Sequence, residues 1–343
     1  MINTKISLRK PGSATTMSLT HERIPELNEN EVLVKTEACG VAFADILIRE
    51  GLYPNAPRKN FTPGYDIVGI VVKVGNAVTD FSTGDRVLGL IQIGGYAKFA
   101  TVDSSQLFPC PADIDASHVI ALTLNYTTAY QMLTRTARVR PGDNVLIHGA
   151  AGGVGSALID IAKNLNVNIY ATLSERKWHD IPHNVMTRGR ITKISYQTAP
   201  FEKSLSQISP QGMDVVFDPI GGKHLKRSYS SLGTGGMLVS YGISTSIKNG
   251  RKSLSSLASA FFRSLLSPLK LIKDSKTIAG YDIWEVVNNR PEWIREDIKT
   301  LLNLYENGEI SPVIGKSFAL EDAAKAHELM STSQVSGKIV LTM

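Results

Sequence analysis

"NVLIHGAAGGVGSALIDIAKNL", Asn144 to Leu165, sets the architecture. An apolar strand runs directly into a glycine-rich turn, and a helix with apolar periodicity follows at once, the context in which a glycine pattern is informative. Gly152 and Gly153 leave room for backbone to approach a pyrophosphate, and Gly155 lets helix and strand pack closely. With Val154 they open a helix whose N-terminus offers unpaired N–H groups and partial positive charge to phosphates. Ala150 stands in the place of the first glycine, which a tight turn accepts if φ there is negative. The implied ligand is a dinucleotide.

Which dinucleotide is read about 20 residues further on, where an acid would take the ribose 2′-hydroxyl of NAD. The stretch there is "ATLSERK", Ala171 to Lys177, with Thr172 and Ser174 in the acid's place. Arg176 and Lys177 follow and can pair with a 2′-phosphate, while Glu175 has to point away. The pattern points to NADPH, against the plainer reading of Arg176 and Lys177 as a solvated helix start.

Working outward, "NVLIHG", "VNIYATL", "ITKIS", "MDVVFD" and "GMLVSYG" alternate with helix-capable stretches, which predicts an α/β, doubly wound parallel sheet. The first third differs. "EVLVKTEAC", "DIVGIVVKVG", "FSTGDRVLGL" and "GGYAKFATVD" are β-branched runs and glycine-led entries of a largely antiparallel domain. The expected division is a β-rich domain over 1–123 and 312–343, with a nucleotide-binding domain over 124–311 between its two parts.

The 343 residues are 43% hydrophobic and 20% charged, with no low-complexity tract, as in soluble globular proteins. No signal-like apolar core opens the chain and no apolar run reaches the roughly 18–20 residues of a membrane span, so a cytoplasmic protein is expected. Cys39 and Cys110 are the only cysteines, too few and too far apart for a disulfide framework or a structural zinc lobe. The net charge of +6 resides in one segment, 247–276. There Lys248, Arg251, Lys252, Arg263, Lys270, Lys273 and Lys276 face a single acid, Asp274. So local a charge argues against a nucleic-acid surface. Within the segment, Leu254, Leu257, Ala258, Phe261, Phe262, Leu265 and Leu266 draw one apolar helix face that Pro268 is expected to end. That face suits burial over a substrate cleft or a dimer interface better than the alternative, a membrane surface.

In order along the chain, "CGVAFAD", "GLYP", "PGYDIVGIVVKVG", "GDRV", "RPGDNVLIHGAAGGVG" and "MDVVFDPIGG" resemble the medium-chain dehydrogenase/reductase superfamily over essentially the whole length. The resemblance implies a Rossmann domain joined to a GroES-like β-rich catalytic domain. Zinc alcohol dehydrogenases of that superfamily carry a cysteine, a histidine and a third ligand where this chain has Ala42, Tyr65 and the "LTLNYTTAY" region. None of these supplies a zinc donor. Asp45 and Asp66 are the only nearby donors, and His148, at a strand end, reads as structural, so no metal is expected. What remains is similar to the zinc-independent quinone oxidoreductase branch, and "LTLNYTTAY", "DPIGG", "VSYG" and the basic insert resemble the vesicle amine transport protein group within it.

That branch implies hydride transfer from NADPH to a quinone or an α,β-unsaturated carbonyl, with dimerisation through the nucleotide domain. By resemblance, Phe43, Ala44 and Asp45 lie near the nicotinamide, with Thr128 on the helix leading into the nucleotide domain. Gly152 to Gly155 take the pyrophosphate, and Ser174 to Lys177 with Tyr196 take the 2′-phosphate. Ser240, Tyr241, Gly242 and Ile243 border the nicotinamide half, which Lys338 reaches from the C-terminal segment. The branch usually has asparagine where this chain has Ala42. Polarisation of an acceptor oxygen therefore falls to Tyr53, Tyr65 or Asn125. The rival expectation is an NADPH-binding protein with little turnover that acts through a partner or a membrane surface.

Overall fold

A computed structural model of the chain describes residues 1–53, 56–180, 190–248, 251–253 and 267–343. The strand Asn144–His148 carries Val145, Leu146 and Ile147, all fully buried, because both faces of a parallel sheet are covered. It lies inside a six-stranded sheet ordered Arg190–Ser195, Asn168–Leu173, Asn144–His148, Met213–Asp218, Leu232–Ser240, Thr277–Gly280. Every pairing in it is parallel. This is the doubly wound Rossmann order, and its switch point between Asn144–His148 and Met213–Asp218 opens a crevice at the carboxyl ends of the strands.

A seven-stranded sheet forms the other part. Its long strand Glu31–Val41 pairs antiparallel with Asp66–Val74 and Phe99–Asp103, and Arg86–Leu90 and Leu107–Pro109 extend it. The C-terminal segment joins the same sheet. Lys338–Thr342 runs antiparallel to Glu31–Val41, with Ile339 opposite Val41 and Leu341 opposite Cys39, and Ile314–Ala319 lies parallel beyond it.

The helical stretch from Ala116 to Thr136 links the two parts, and in it Ala121–Tyr126 and Met132–Thr136 wind as π-helix. It is held against the helix Pro291–Glu306 by buried Asp297, which accepts from Gln131 Nε2 (2.7 Å) and from Arg135 Nε and Nη2 (2.8 and 2.7 Å).

Pro268 opens a helix, Pro268–Asp274, with the Ser267 hydroxyl capping its first turn, the position where a missing N–H costs nothing. The apolar face expected over Leu254 to Leu266 lies outside the described residues. Among the described residues no helix is long and apolar enough to cross a membrane.

Candidate active site at the junction of the two sheets

The glycine turn follows Asn144–His148 at the switch point. Gly149 takes φ +63°, so the position that needs glycine falls just before the fingerprint, and Ala150 is not among the residues with positive φ. A Cβ on Gly155 would overlap the carbonyl oxygen of Gly149 and come to 2.8 Å from Ala150 Cα, which is the close helix–strand approach expected of that residue. Gly152 caps the helix Gly153–Ala162, leaving its first N–H groups for a ligand. Asn125, on the π-helical turn, lies directly against Gly153, where an added Cβ would overlap its amide nitrogen. Thr128 is buried one turn further along the same stretch.

At the end of Asn168–Leu173, Ser174 is buried, and its hydroxyl has no hydrogen-bond partner among the described residues. An unpaired buried hydroxyl is costly unless a ligand satisfies it. Arg176 is exposed beside it, while the Lys177 ammonium donates to the Val335 carbonyl (2.7 Å). Burial, then Arg176, lowers the Lys177 amine's affinity for its proton, an imbalance that an anion here would relieve. Gln197 Oε1 accepts from Glu175 N (3.2 Å), which draws the segment carrying exposed Tyr196 alongside. A buried serine, an arginine and a lysine at this strand end fit a 2′-phosphate.

The opposite wall comes from the second sheet. Ala42 ends the strand region and precedes the helix Phe43–Arg49, where Asp45 is fully buried. Both Asp45 oxygens are committed to backbone, accepting from Ala42 N (2.8 Å) and Gly64 N (3.1 Å). Burial pushes its carboxyl up to about 7. Lys338, expected at the nicotinamide, has its ammonium on Asp66 Oδ2 (2.8 Å), while Asp66 Oδ1 accepts from Gly40 N (3.0 Å). The next residue back, Gly337, donates its N–H to Ala151 O (2.9 Å) and so ties this segment to the glycine turn.

Tyr53 and Tyr65 meet at the junction, and Tyr53 reaches across it to Asp282. Tyr53 Oη donates to Asp282 Oδ1 (3.0 Å) and lies 3.1 Å from Tyr65 Oη. A phenol has one proton, so with that of Tyr53 on Asp282 the donor between the two tyrosines is Tyr65. Trp284 packs edge-on against Tyr65, with ring centroids 6.0 Å apart. Burial pushes the Tyr53 and Tyr65 hydroxyls above the ordinary phenol range, so both stay protonated at neutral pH.

Beneath the turn, His148, Asp218 and His224 converge. His148 Nδ1 lies 2.9 Å from Thr172 Oγ1, and its Nε2 3.2 Å from Ser228 Oγ. Ser228 donates to Asp218 Oδ2 (2.6 Å), which also faces His224 Nδ1 (2.9 Å), so a serine hydroxyl fills the centre of this group. Asp218 Oδ1 accepts from Ile220 N and Gly221 N, and Tyr241 N donates to the Asp218 carbonyl. The cluster therefore fixes both the "DPIGG" turn and the start of the Tyr241 to Ile243 segment. Sequence placed His148 at a strand end, but its partners lie too far along the chain to be read from spacing. Asp282 gave no signal either.

A Rossmann sheet with this glycine turn, joined to a seven-stranded GroES-like sheet, is the architecture of the dinucleotide-dependent dehydrogenases and reductases. A zinc-binding dehydrogenase family model matches residues 191–341, and an alcohol dehydrogenase GroES-like domain model matches residues 28–112. The chain is 34% identical to a synaptic vesicle membrane protein VAT-1 homolog of Danio rerio, over 93% of this chain but only 65% of that protein's length. It is 31% identical to a quinone oxidoreductase of Rattus norvegicus, over 93% of this chain and 91% of that one. Among solved structures, the Escherichia coli quinone oxidoreductase complexed with NADPH superposes with a TM-score of 0.86 at 26% identity, covering 99% of this chain and 100% of that one. The chain belongs to the medium-chain dehydrogenase/reductase superfamily, in the branch of the quinone oxidoreductases and VAT-1 homologues.

The zinc in that family model's description does not fit here. Ala42, Tyr65 and Asn125 offer no thiolate, imidazole or carboxylate, and the oxygens of Asp45 and Asp66 are occupied by backbone amides and Lys338.

Proposed function

We propose that the protein is an NADPH-dependent, zinc-independent reductase of quinones or α,β-unsaturated carbonyls. The observation that carries this reading is the unpaired, buried Ser174 hydroxyl beside Arg176 and Lys177, at the strand end next to a glycine turn. Gly152 to Gly155 would hold the pyrophosphate. Ser174, Arg176 and Lys177, with Tyr196 alongside, would hold the 2′-phosphate.

Bound NADPH supplies a hydride, and an acceptor that is already electrophilic needs no Lewis acid to receive it. The chain's task is then to orient the acceptor, exclude water and stabilise charge developing on its oxygen. Tyr65 and Tyr53 are the groups at the junction that hold protons for that oxygen, and Asn125 is an amide donor beside the glycine turn. Phe43, Ala44, Thr128 and the Ser240 to Ile243 segment would frame the nicotinamide, and Asp45 would shape its wall by capping Phe43–Arg49. Lys338 would act through Asp66 rather than by direct contact. We further propose a cytoplasmic homodimer.

The test is NADPH oxidation against a panel of quinones and enones, alongside dissociation constants for NADPH and NADH. Acceptor-dependent oxidation with clearly tighter NADPH supports the reading, whereas equal affinity or tighter NADH removes the 2′-phosphate assignment. One observation favours the rival reading, binding with little turnover: Ala42 brings no polar side chain to the wall, so the acceptor lacks one hydrogen bond. Tight NADPH binding with no oxidation by any acceptor would select it.

A further inference from the structure

We propose that Asp282, Tyr53 and Tyr65 form a proton-delivery chain that carries a solvent proton across the domain junction to the acceptor oxygen. This rests on the functional reading above and adds to it a residue that no motif marks. The two hydroxyls and the carboxyl are hydrogen-bonded in series, Tyr65 Oη to Tyr53 Oη 3.1 Å and Tyr53 Oη to Asp282 Oδ1 3.0 Å. They also run along a gradient of exposure, with Tyr65 fully buried, Tyr53 half-buried and Asp282 exposed. Asp282 Oδ1 accepts from Tyr53 and from Trp284 N (2.9 Å), while its Oδ2 has no partner among the described residues. The outer end of the chain is therefore a carboxylate with one oxygen free to exchange protons with water. The inner end is a protonated phenol in the same buried cluster as Ala42. Asp45 is the other charge that acts on both phenols, from the side of the helix Phe43–Arg49.

Bound NADPH would supply a hydride to the electrophilic centre of the acceptor, leaving an electron pair on the acceptor oxygen. A new O–H bond forms there as the Tyr65 O–H bond breaks. The resting hydrogen bonds run outward, from Tyr65 to Tyr53 to Asp282, so both hydroxyls turn for delivery: Tyr65 takes the proton of Tyr53, and Tyr53 takes one that solvent supplies through the Asp282 carboxyl. One hydride and one solvent proton are consumed per turnover. Tyr53 and Tyr65 belong to the GroES-like part and Asp282 to the Rossmann part, so the chain is complete only while the two are docked.

Two measurements test this. In cofactor-free protein labelled with 13Cζ-tyrosine, assigned through Tyr53→Phe and Tyr65→Phe, Asp282→Asn should shift both tyrosine resonances, since asparagine keeps the helix cap but removes the charge. An unmoved Tyr65 resonance overturns the chain. In turnover, Asp282→Asn should slow NADPH oxidation at least about tenfold and enlarge the solvent deuterium isotope effect, in the range of general acid catalysis. Formate should restore Asp282→Ala. A wild-type rate and isotope effect in Asp282→Asn, with no rescue, overturns the proposal even if wild-type protein is active. If wild-type protein oxidises NADPH with no acceptor, the functional reading fails, and the resonance measurement still decides the chain.

Discussion

Gly155→Ala against Gly152→Ala separates the two tasks given to the glycine turn. At Gly155 the new methyl would overlap the Gly149 carbonyl and sit 2.8 Å from Ala150 Cα, both backbone, so the helix Gly153–Ala162 has to move away from its strand. Overpacking of this kind costs about 1–3 kcal/mol, and the upper end applies because no side chain can swing aside. Alanine returns about 1 kcal/mol of helix propensity. The net is a loss of about 1–2 kcal/mol, or roughly 2–8 °C in Tm for a domain of this size. At Gly152, the N-cap, with φ −73°, the nearest atom to a new Cβ is Gly149 O at a tight 3.2 Å, which a shift of a few tenths of an ångström relieves, so the loss of stability should be smaller, up to about 1 kcal/mol. The same methyl would stand where a pyrophosphate approaches, and NADPH affinity should fall at least about tenfold. Differential scanning calorimetry and titration calorimetry read the two quantities. A Gly155→Ala protein as stable as wild type, or a Gly152→Ala protein that binds NADPH normally, would refute the reasoning.

Lys338→Met should cost about 3–5 kcal/mol in chemical denaturation, because it strands the buried carboxylate of Asp66; adding Asp66→Asn should recover most of the loss. Acid stability should depend on His327, which burial and then Arg49 push down to about 3 from an ordinary 6.5. Folding favours its neutral form, so its contribution is complete above pH 6.5 and is lost as pH falls toward 3. His327→Gln should therefore flatten the acid limb by about 1.4 kcal/mol per pH unit in that window. Asp45 has the opposite sign: its carboxyl is raised to about 7 from 3.8, so stability falls as pH rises through that interval. Asp45→Asn should remove that decline, as urea denaturation at pH 4 to 7 would show. Tyr65→Phe should lower turnover without changing NADPH affinity, and unchanged turnover would take Tyr65 out of the mechanism.

Much of the framework could be read from local sequence. Gly152 to Gly155 sit between a continuous apolar strand and a periodic helix, and those signals need only neighbours. The sixth strand, Thr277–Gly280, could not be read so: four residues after a charged segment carry no periodicity, and its pairing with Leu232–Ser240 decides it. The π-helical winding of Ala121–Tyr126 was likewise hidden, because its apolar residues suit an ordinary helix as well. Within the site, the absence of zinc donors at Ala42 and Tyr65 was visible as residue type. The groups that surround them were not: Asp66 meets Lys338 from 272 residues away, and Tyr53 meets Asp282 from 229. Such pairs are set by which strands and domains dock, information that spacing does not hold. Asp45 is a related case: its motif places it near the nicotinamide, and only the geometry shows that its oxygens are taken up in capping a helix and holding Gly64.

The central claim is reductase chemistry that needs NADPH and no zinc. Its most direct test is stopped-flow NADPH oxidation by chelator-treated protein with a saturating quinone or enone. The account predicts acceptor-dependent decay of NADPH absorbance that survives chelation and is markedly weaker with NADH. Tight NADPH binding without oxidation by any acceptor, or activity restored only by added zinc, would contradict it.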